Sequence, residues 1–113
     1  MRKSDAVRLR HMLDAARRAS RHASTRSRAE LETDKLFADG VTYTLLVLGE
    51  AAGRVAVEER ERLPGIPWGK IVGMRNRLVH GYDDINPDTV WRVLTQDLPP
   101  LIAELERILS NEE

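Results

Sequence analysis

The sequence contains no cysteine, few aromatic residues and no excess of charge of either sign. Without cysteine the chain can form no disulfide and offers no thiolate to a metal. Two Trp, two Tyr and one Phe are too few to build a surface on which successive nucleic-acid bases stack. A formal net charge of +0 argues against a protein that coats nucleic acid nonspecifically.

Long hydrophobic runs are also absent. No apolar run approaches the ~20 residues that a membrane helix needs, and the charged N-terminus does not resemble a signal peptide. We therefore expect a cytoplasmic protein without a membrane segment. The length fits a single domain, residues 1–113, whose helices a second copy would help to bury. A Gly-rich phosphate loop, a His-Glu-x-x-His motif and a Cys or Ser nucleophile with a partner are all missing.

The charge that is present is distributed unevenly. Residues 1–28 hold nine Lys or Arg and two Asp or Glu, whereas residues 29–113 hold nine and sixteen. A basic stripe on the first helix could bind RNA phosphates independently of base sequence. Two alternatives stay open, namely a solvated arginine face and a surface that docks the acidic half of a neighbouring chain.

Apolar residues recur at helical spacing along the chain, which predicts an all-α fold of about five helices. The first helix is expected from Ser4 to His22, with Ser4 as its N-cap. Residues 36–57 are ambiguous because Val41 to Leu48 is rich in β-branched side chains, but their apolar stripe exceeds the length of a strand and favours a helix. Asn86-Pro87-Asp88 predicts a further helix start, and Pro99-Pro100 is expected to break or kink the helix that follows.

The densest group of reactive side chains is Arg75, Asn76, His80 and Tyr82. A helix is predicted to begin near Pro67 and to end at Gly81, which would act as a left-handed C-cap. Asn76 and His80 would then lie one turn apart. The partial negative charge at the C-terminal end of the helix would favour the protonated imidazolium of His80.

Arg75 falls on the apolar stripe of its helix, so it could form a structural ion pair with Glu50, a carboxylate that we expect among apolar side chains and in need of a cation.

The stretch R-N-R-L-V-H-G-Y, preceded by I-P-W-G-K-I-V-G-M and further upstream by L-G-E-A-A-G-R, resembles the HepT family of HEPN-domain ribonuclease toxins. The resemblance covers roughly Leu9 to Leu109. It implies an antiparallel helical bundle of the HEPN type that forms a homodimer, in which two copies of the motif face each other and make one composite site. The chain departs from the family at Tyr43 and Thr44, where a more polar pattern, often Arg-Asn, is expected; the difference concerns the interface and the substrate contacts.

The activity that this resemblance implies is cleavage of RNA, either tRNA or mRNA, with no metal and no cofactor. The 2′-hydroxyl of the RNA would attack the adjacent phosphate. Arg75 would clamp the phosphate, His80 would act as acid or base, and Asn76 would orient one of these groups or the RNA.

The resemblance also implies a partner, a minimal nucleotidyltransferase antitoxin (MntA-like) of a type VII-like toxin–antitoxin system. That partner would transfer AMP from ATP to Tyr82, and the added charge and bulk would compete with RNA. The nearby Asp83 and Asp84 would either favour protonated His80 or cap the next helix. The alternative function is a non-catalytic helical module that binds and presents substrate to a nucleotidyltransferase.

Overall fold

The computed structural model describes residues 1–81 and 86–112, and within these ranges it contains helices and no strand. In chain order the elements are α1 (Lys3–Ser24), α2 (Glu30–Thr33), α3 (Lys35–Gly53), α4 (Val57–Arg62), α5 (Trp68–Gly81), α6 (Pro87–Arg92), a π-helical segment (Val93–Asp97) and α7 (Leu98–Asn111). The predicted all-α bundle is confirmed. In the described ranges no helix is both long and apolar enough to cross a bilayer.

The core lies where α1 packs against α3 and α7 and where α3 packs against α5. The buried face of α1 includes four alanines, whose small side chains let neighbouring helices approach closely. The largest fully buried side chains come from α1, α3, the turn after α3, the π-helical segment and α7: Leu9, Met12, Val41, Leu45, Leu48, Val55, Leu94, Leu98 and Leu105.

The ambiguous segment is the helix α3, as its length indicated. Its N-cap is Asp34, whose carboxylate accepts a hydrogen bond from the backbone N–H of Phe37 at 3.1 Å. This bond, aided by the guanidinium of Arg26, holds the pKa of Asp34 below its usual range. The β-branched residues of α3 therefore sit in a helix because capping and core packing outweigh their preference for strands.

Two predicted caps are wrong. The first helix begins at Lys3 with Arg2 as its N-cap, so Ser4 lies inside the helix. Gly81 is the last residue of α5, and no described glycine has a positive φ, so it does not form a left-handed cap. By contrast, Asn86 caps α6 as predicted, since its Oδ1 accepts a hydrogen bond from the backbone N–H of Asp88 at 2.8 Å.

The interruption expected at Pro99 and Pro100 takes the form of the π-helical segment. Both prolines lie in the first turn of α7, immediately after this segment. Proline lacks the N–H that would bond to the carbonyl four residues earlier. The wider π turn therefore falls where α-helical hydrogen bonds are lost, and the chain continues as a helix instead of breaking.

Several cations of residues 1–28 form ion pairs inside the chain. Arg17 pairs with Glu106 at 2.5 Å, and Arg28 pairs with Asp88, so the basic segment does contact the acidic part of its own chain. Other cations of α1 lie on its exposed side and have no ion pair among the described residues: Arg10, Arg18 and Arg21.

Candidate active site

Arg75 on α5 and Glu50 on α3 form an ion pair. The Arg75 Nε donates a hydrogen bond to Glu50 Oε1 at 2.6 Å, and Nη2 lies 2.5 Å from the same oxygen. The side chains are 33% and 44% exposed, so Glu50 is less buried than the sequence suggested. An ion pair at this exposure typically contributes about 0–1 kcal/mol to stability. Its larger effect is to fix the direction of the guanidinium.

Arg75 is also oriented by its neighbour. Its Nη1 donates a hydrogen bond to Asn76 Oδ1 at 3.0 Å. A guanidinium has five N–H donors, and these contacts engage at most three of them. The described structure therefore leaves at least two donors of Arg75 for an external acceptor such as a phosphate group.

Gly49 allows α3 and α5 to approach closely at this point. A Cβ atom built on Gly49 would lie 2.8 Å from Arg75 Cγ and 3.4 Å from Arg75 Cα, and it would overlap Arg75 Cβ. Real Cβ atoms almost never come within 3.0 Å of another atom. The absence of a side chain at Gly49 is thus what lets Arg75 reach Glu50. Sequence reasoning missed this role, although a glycine next to Glu50 in the middle of a helix was a signal.

His80 lies one turn beyond Asn76 and is exposed. It lines a groove between α5 and the start of α6, together with Asn86 and Thr89. Its imidazole is therefore accessible to a substrate from solvent. Tyr82, Asp83 and Asp84 lie outside the described residues, so the two alternatives for the acidic pair stay open.

Arg75 and His80 point in different directions from α5. They are five positions apart, which corresponds to ~140° around the helix and ~7.5 Å along it. The outward face between the two directions carries Asn76 and Val79. For Arg75 and His80 to contact the same phosphate group, the substrate would therefore have to lie across this outward face.

A groove with exposed apolar side chains adjoins the ion pair. We call it the α3–α5 face. It is lined by the apolar residues Tyr43, Leu46, Val47, Ala51 and Val79, together with Glu50 and the basic residues Arg8, His11 and Arg54. Tyr43 is 64% and Val79 45% exposed, so both leave apolar area open to solvent. The face therefore places apolar area directly beside Arg75.

No metal site is evident in residues 1–81 and 86–112. Within them no three His, Cys, Asp or Glu side chains are grouped so that they could hold an ion. The fold and the site define a small helical protein that presents a cation, an amide and an imidazole on one helix, side chains that can bind an anion or transfer a proton.

Comparison with known protein families shows to which family the chain belongs. The model of the family described as Ribonuclease HepT-like matches residues 12–108, and the chain belongs to this family. The resemblance seen in the sequence is therefore confirmed. No solved structure matches the chain.

Three relatives show the extent of the similarity. "Gamma-glutamylcyclotransferase and putative RNase" of Methanocaldococcus jannaschii is 28% identical over 111 residues, which cover 98% of this chain and 50% of that protein. A "Putative RNase" of the same organism is 32% identical over 77 residues, 68% of this chain and 71% of that protein. "Probable ribonuclease HepT" of Thermococcus cleftensis is 28% identical over 75 residues, 66% and 68% of the two chains. The chain thus spans half the length of the first relative and about two thirds or more of the other two.

Proposed function

We propose that the protein is a cytoplasmic endoribonuclease toxin that cuts RNA without a metal. Membership of the ribonuclease HepT-like family supports the reaction class. The observation that carries the proposal is the fixed guanidinium of Arg75, which is aimed by Glu50 and Asn76 while donors remain for a phosphate. A purely structural ion pair would not require an exposed His80 one turn beyond Asn76.

The proposed reaction is an attack of the RNA's 2′-hydroxyl oxygen on the adjacent phosphorus. The bond from 2′-oxygen to phosphorus forms, the bond from phosphorus to 5′-oxygen breaks, and the electron pair leaves with the 5′-oxygen. One proton passes from the 2′-hydroxyl to a base, and one is delivered to the leaving oxygen by an acid. The products are a 2′,3′-cyclic phosphate and a 5′-hydroxyl.

The chain's own residues would take three roles in this reaction. His80 would accept or deliver a proton. Arg75 would hold the phosphoryl oxygens, where negative charge grows in the transition state. Asn76 would keep Arg75 oriented and offer its amide N–H groups to the RNA.

The proposal includes a homodimer built on the α3–α5 face. Each chain places one imidazole, that of His80, on the outward side of α5, whereas the reaction needs both an acid and a base. Two copies related by a two-fold axis through the outward side of α5 would bring two His80 side chains to one site, since a two-fold interface apposes the same patch of each chain. The exposed Tyr43 and Val79 would then be buried beside Arg75.

Substitution of Tyr43 by Asp should convert the dimer to a monomer, because it removes the aromatic side chain of the α3–α5 face and would bury a carboxylate in the interface. Tyr43 is exposed within one chain, so the fold should tolerate the change. The matched control is Val57→Asp, which introduces the same charge at an exposed apolar residue of α4 away from this face. Sedimentation or light scattering gives the mass. A wild-type monomer, or equal dissociation of both variants, would contradict the proposed interface.

The proposal also includes inactivation by AMP transfer to Tyr82 from a partner nucleotidyltransferase. The nucleotide would carry negative charge to the neighbourhood of His80, where RNA phosphate must bind. Incubation with the partner, ATP and Mg²⁺ should add AMP to the wild-type chain but not to Tyr82→Phe, as read by mass spectrometry. Equal AMP addition to both chains would place the acceptor elsewhere.

The decisive test of the function is RNA cleavage by the purified protein in EDTA, with analysis of the product ends. Cyclic phosphate ends formed in the presence of the chelator would support the proposed reaction. Binding of RNA without any cleavage would favour the non-catalytic partner module.

A further inference from the structure

A second groove carries cations that the proposed chemistry does not use. It lies between α5 and the region from α6 to the start of α7, and we call it the basic groove. Three cations line it, namely Lys70 and Arg77 from α5 and Arg92 from α6, against one acid, Asp97. The other lining residues are mainly apolar and include Ile71, Met74, Val93 and Leu101.

The three cations are arranged for contact with an external anion. All are exposed, and among the described residues none forms an ion pair. Lys70 and Arg77 are seven residues apart, so they project from almost the same side of α5 and lie ~10 Å apart along it. A row of charges with this spacing follows the groove instead of converging on one point, which fits a linear polyanion better than a single small anion.

The basic groove is continuous with the groove that contains His80. Met74, Arg77 and Val93 line both. A chain that leaves the phosphate at His80 can therefore pass along α5 over Arg77 to Lys70. The row of cations leads directly away from the proposed site of cleavage.

We propose that the basic groove binds the single-stranded RNA that flanks the cut, with its phosphates on Lys70, Arg77 and Arg92. The proposal rests on the proposed function, since it names the path of the same substrate. Contacts to phosphates do not depend on base sequence. The groove would therefore increase the affinity for RNA and orient the strand, but it would not distinguish one RNA sequence from another.

The exposed cations of α1 are the competing location for RNA. Arg10, Arg18 and Arg21 line neither the basic groove nor the groove with His80. An RNA held on them would therefore not follow the groove that contains His80. The two sets contain the same number of cations, so each serves as a control for the other.

The test is the salt dependence of RNA binding by the full chain. The probe is a single-stranded oligonucleotide with 2′-O-methyl groups, which lacks the attacking hydroxyl and cannot be cut. For single strands, each lost phosphate contact lowers the slope of log affinity against log salt by ~0.7. For the variant Lys70→Gln, Arg77→Gln, Arg92→Gln the magnitude of this slope should be smaller than for wild type by about 2. The variant Arg10→Gln, Arg18→Gln, Arg21→Gln, with the same change in net charge, should keep the wild-type slope.

A cleavage measurement on a long single strand completes the test. The groove variant should cut it less efficiently than wild type, whereas the Arg10→Gln, Arg18→Gln, Arg21→Gln variant should cut it at the wild-type rate. An unchanged salt slope in the groove variant, or an equal loss in both variants, would overturn the proposal. If the wild type shows a groove-dependent slope but cuts nothing, the groove proposal stands and the ribonuclease proposal falls.

Discussion

RNA cleavage in EDTA should fall about 10²–10⁴-fold when His80 is replaced by Ala, which is the usual contribution of a general acid or base. The substitution removes the one imidazole that lies beside Asn76 on α5. Because His80 is exposed in a single chain, the stability of the fold should not change. The matched control is His22→Ala, which removes an exposed histidine at the far end of α1. Its rate should equal that of wild type.

Arg75 variants separate the two interpretations of the ion pair. Arg75→Lys keeps the positive charge but loses the planar fork that can hold two phosphate oxygens. We expect a loss of activity close to that of Arg75→Ala, with little loss of stability because the pair with Glu50 is partly exposed. A purely structural Arg75 would give the opposite result, with full cleavage by any variant that folds. Equal cleavage by wild type and by the His80 and Arg75 variants would indicate a contaminating nuclease and refute the assignment.

The fold was largely predictable because most of it follows local rules. The apolar stripe of α3 is longer than a strand, and Asn86-Pro87 is typical of a helix start, which is where α6 begins. Both signals are local in the sequence and need no tertiary information. The wrong caps are of a different kind. Ser4 and Gly81 have the right residue types, but Lys3 also accepts helical geometry, so α1 begins before Ser4, and Gly81 is itself the last helical residue of α5.

The contacts of Arg75 were more predictable than the surface around them, while the catalytic roles of Arg75, Asn76 and His80 stay a prediction. Spacing placed these three residues on one helix, and the expectation that Glu50 would need a cation suggested its ion pair with Arg75. The angle between Arg75 and His80 follows from helical geometry, but the exposed face beside them depends on which sides of α3 and α5 the core covers. Which sides are covered depends on contacts between residues far apart in the chain, and a single sequence does not reveal these contacts.

Gly49 shows most clearly what tertiary contacts add. Glycine in the middle of a helix costs about 1 kcal/mol relative to alanine, so local rules alone predict that Gly49→Ala stabilises α3. The structure reverses this expectation, because the new methyl group would overlap Arg75 and lie 2.8 Å from its Cγ. Overlap at the base of a side chain can be relieved only by moving the backbone of α5 or α3.

Gly49→Ala should therefore destabilise the protein by about 1–3 kcal/mol, the usual cost of overpacking. It should also reduce RNA cleavage, since the displacement of α5 would move Arg75 away from Glu50. Gly40→Ala is the matched control on the same helix, because a Cβ there meets no atom within 4 Å. It should stabilise the protein by about 0.5–1 kcal/mol and leave cleavage unchanged. Denaturant unfolding gives both free energies, and equal stabilisation by the two substitutions would show that α3 and α5 do not depend on the missing side chain at Gly49.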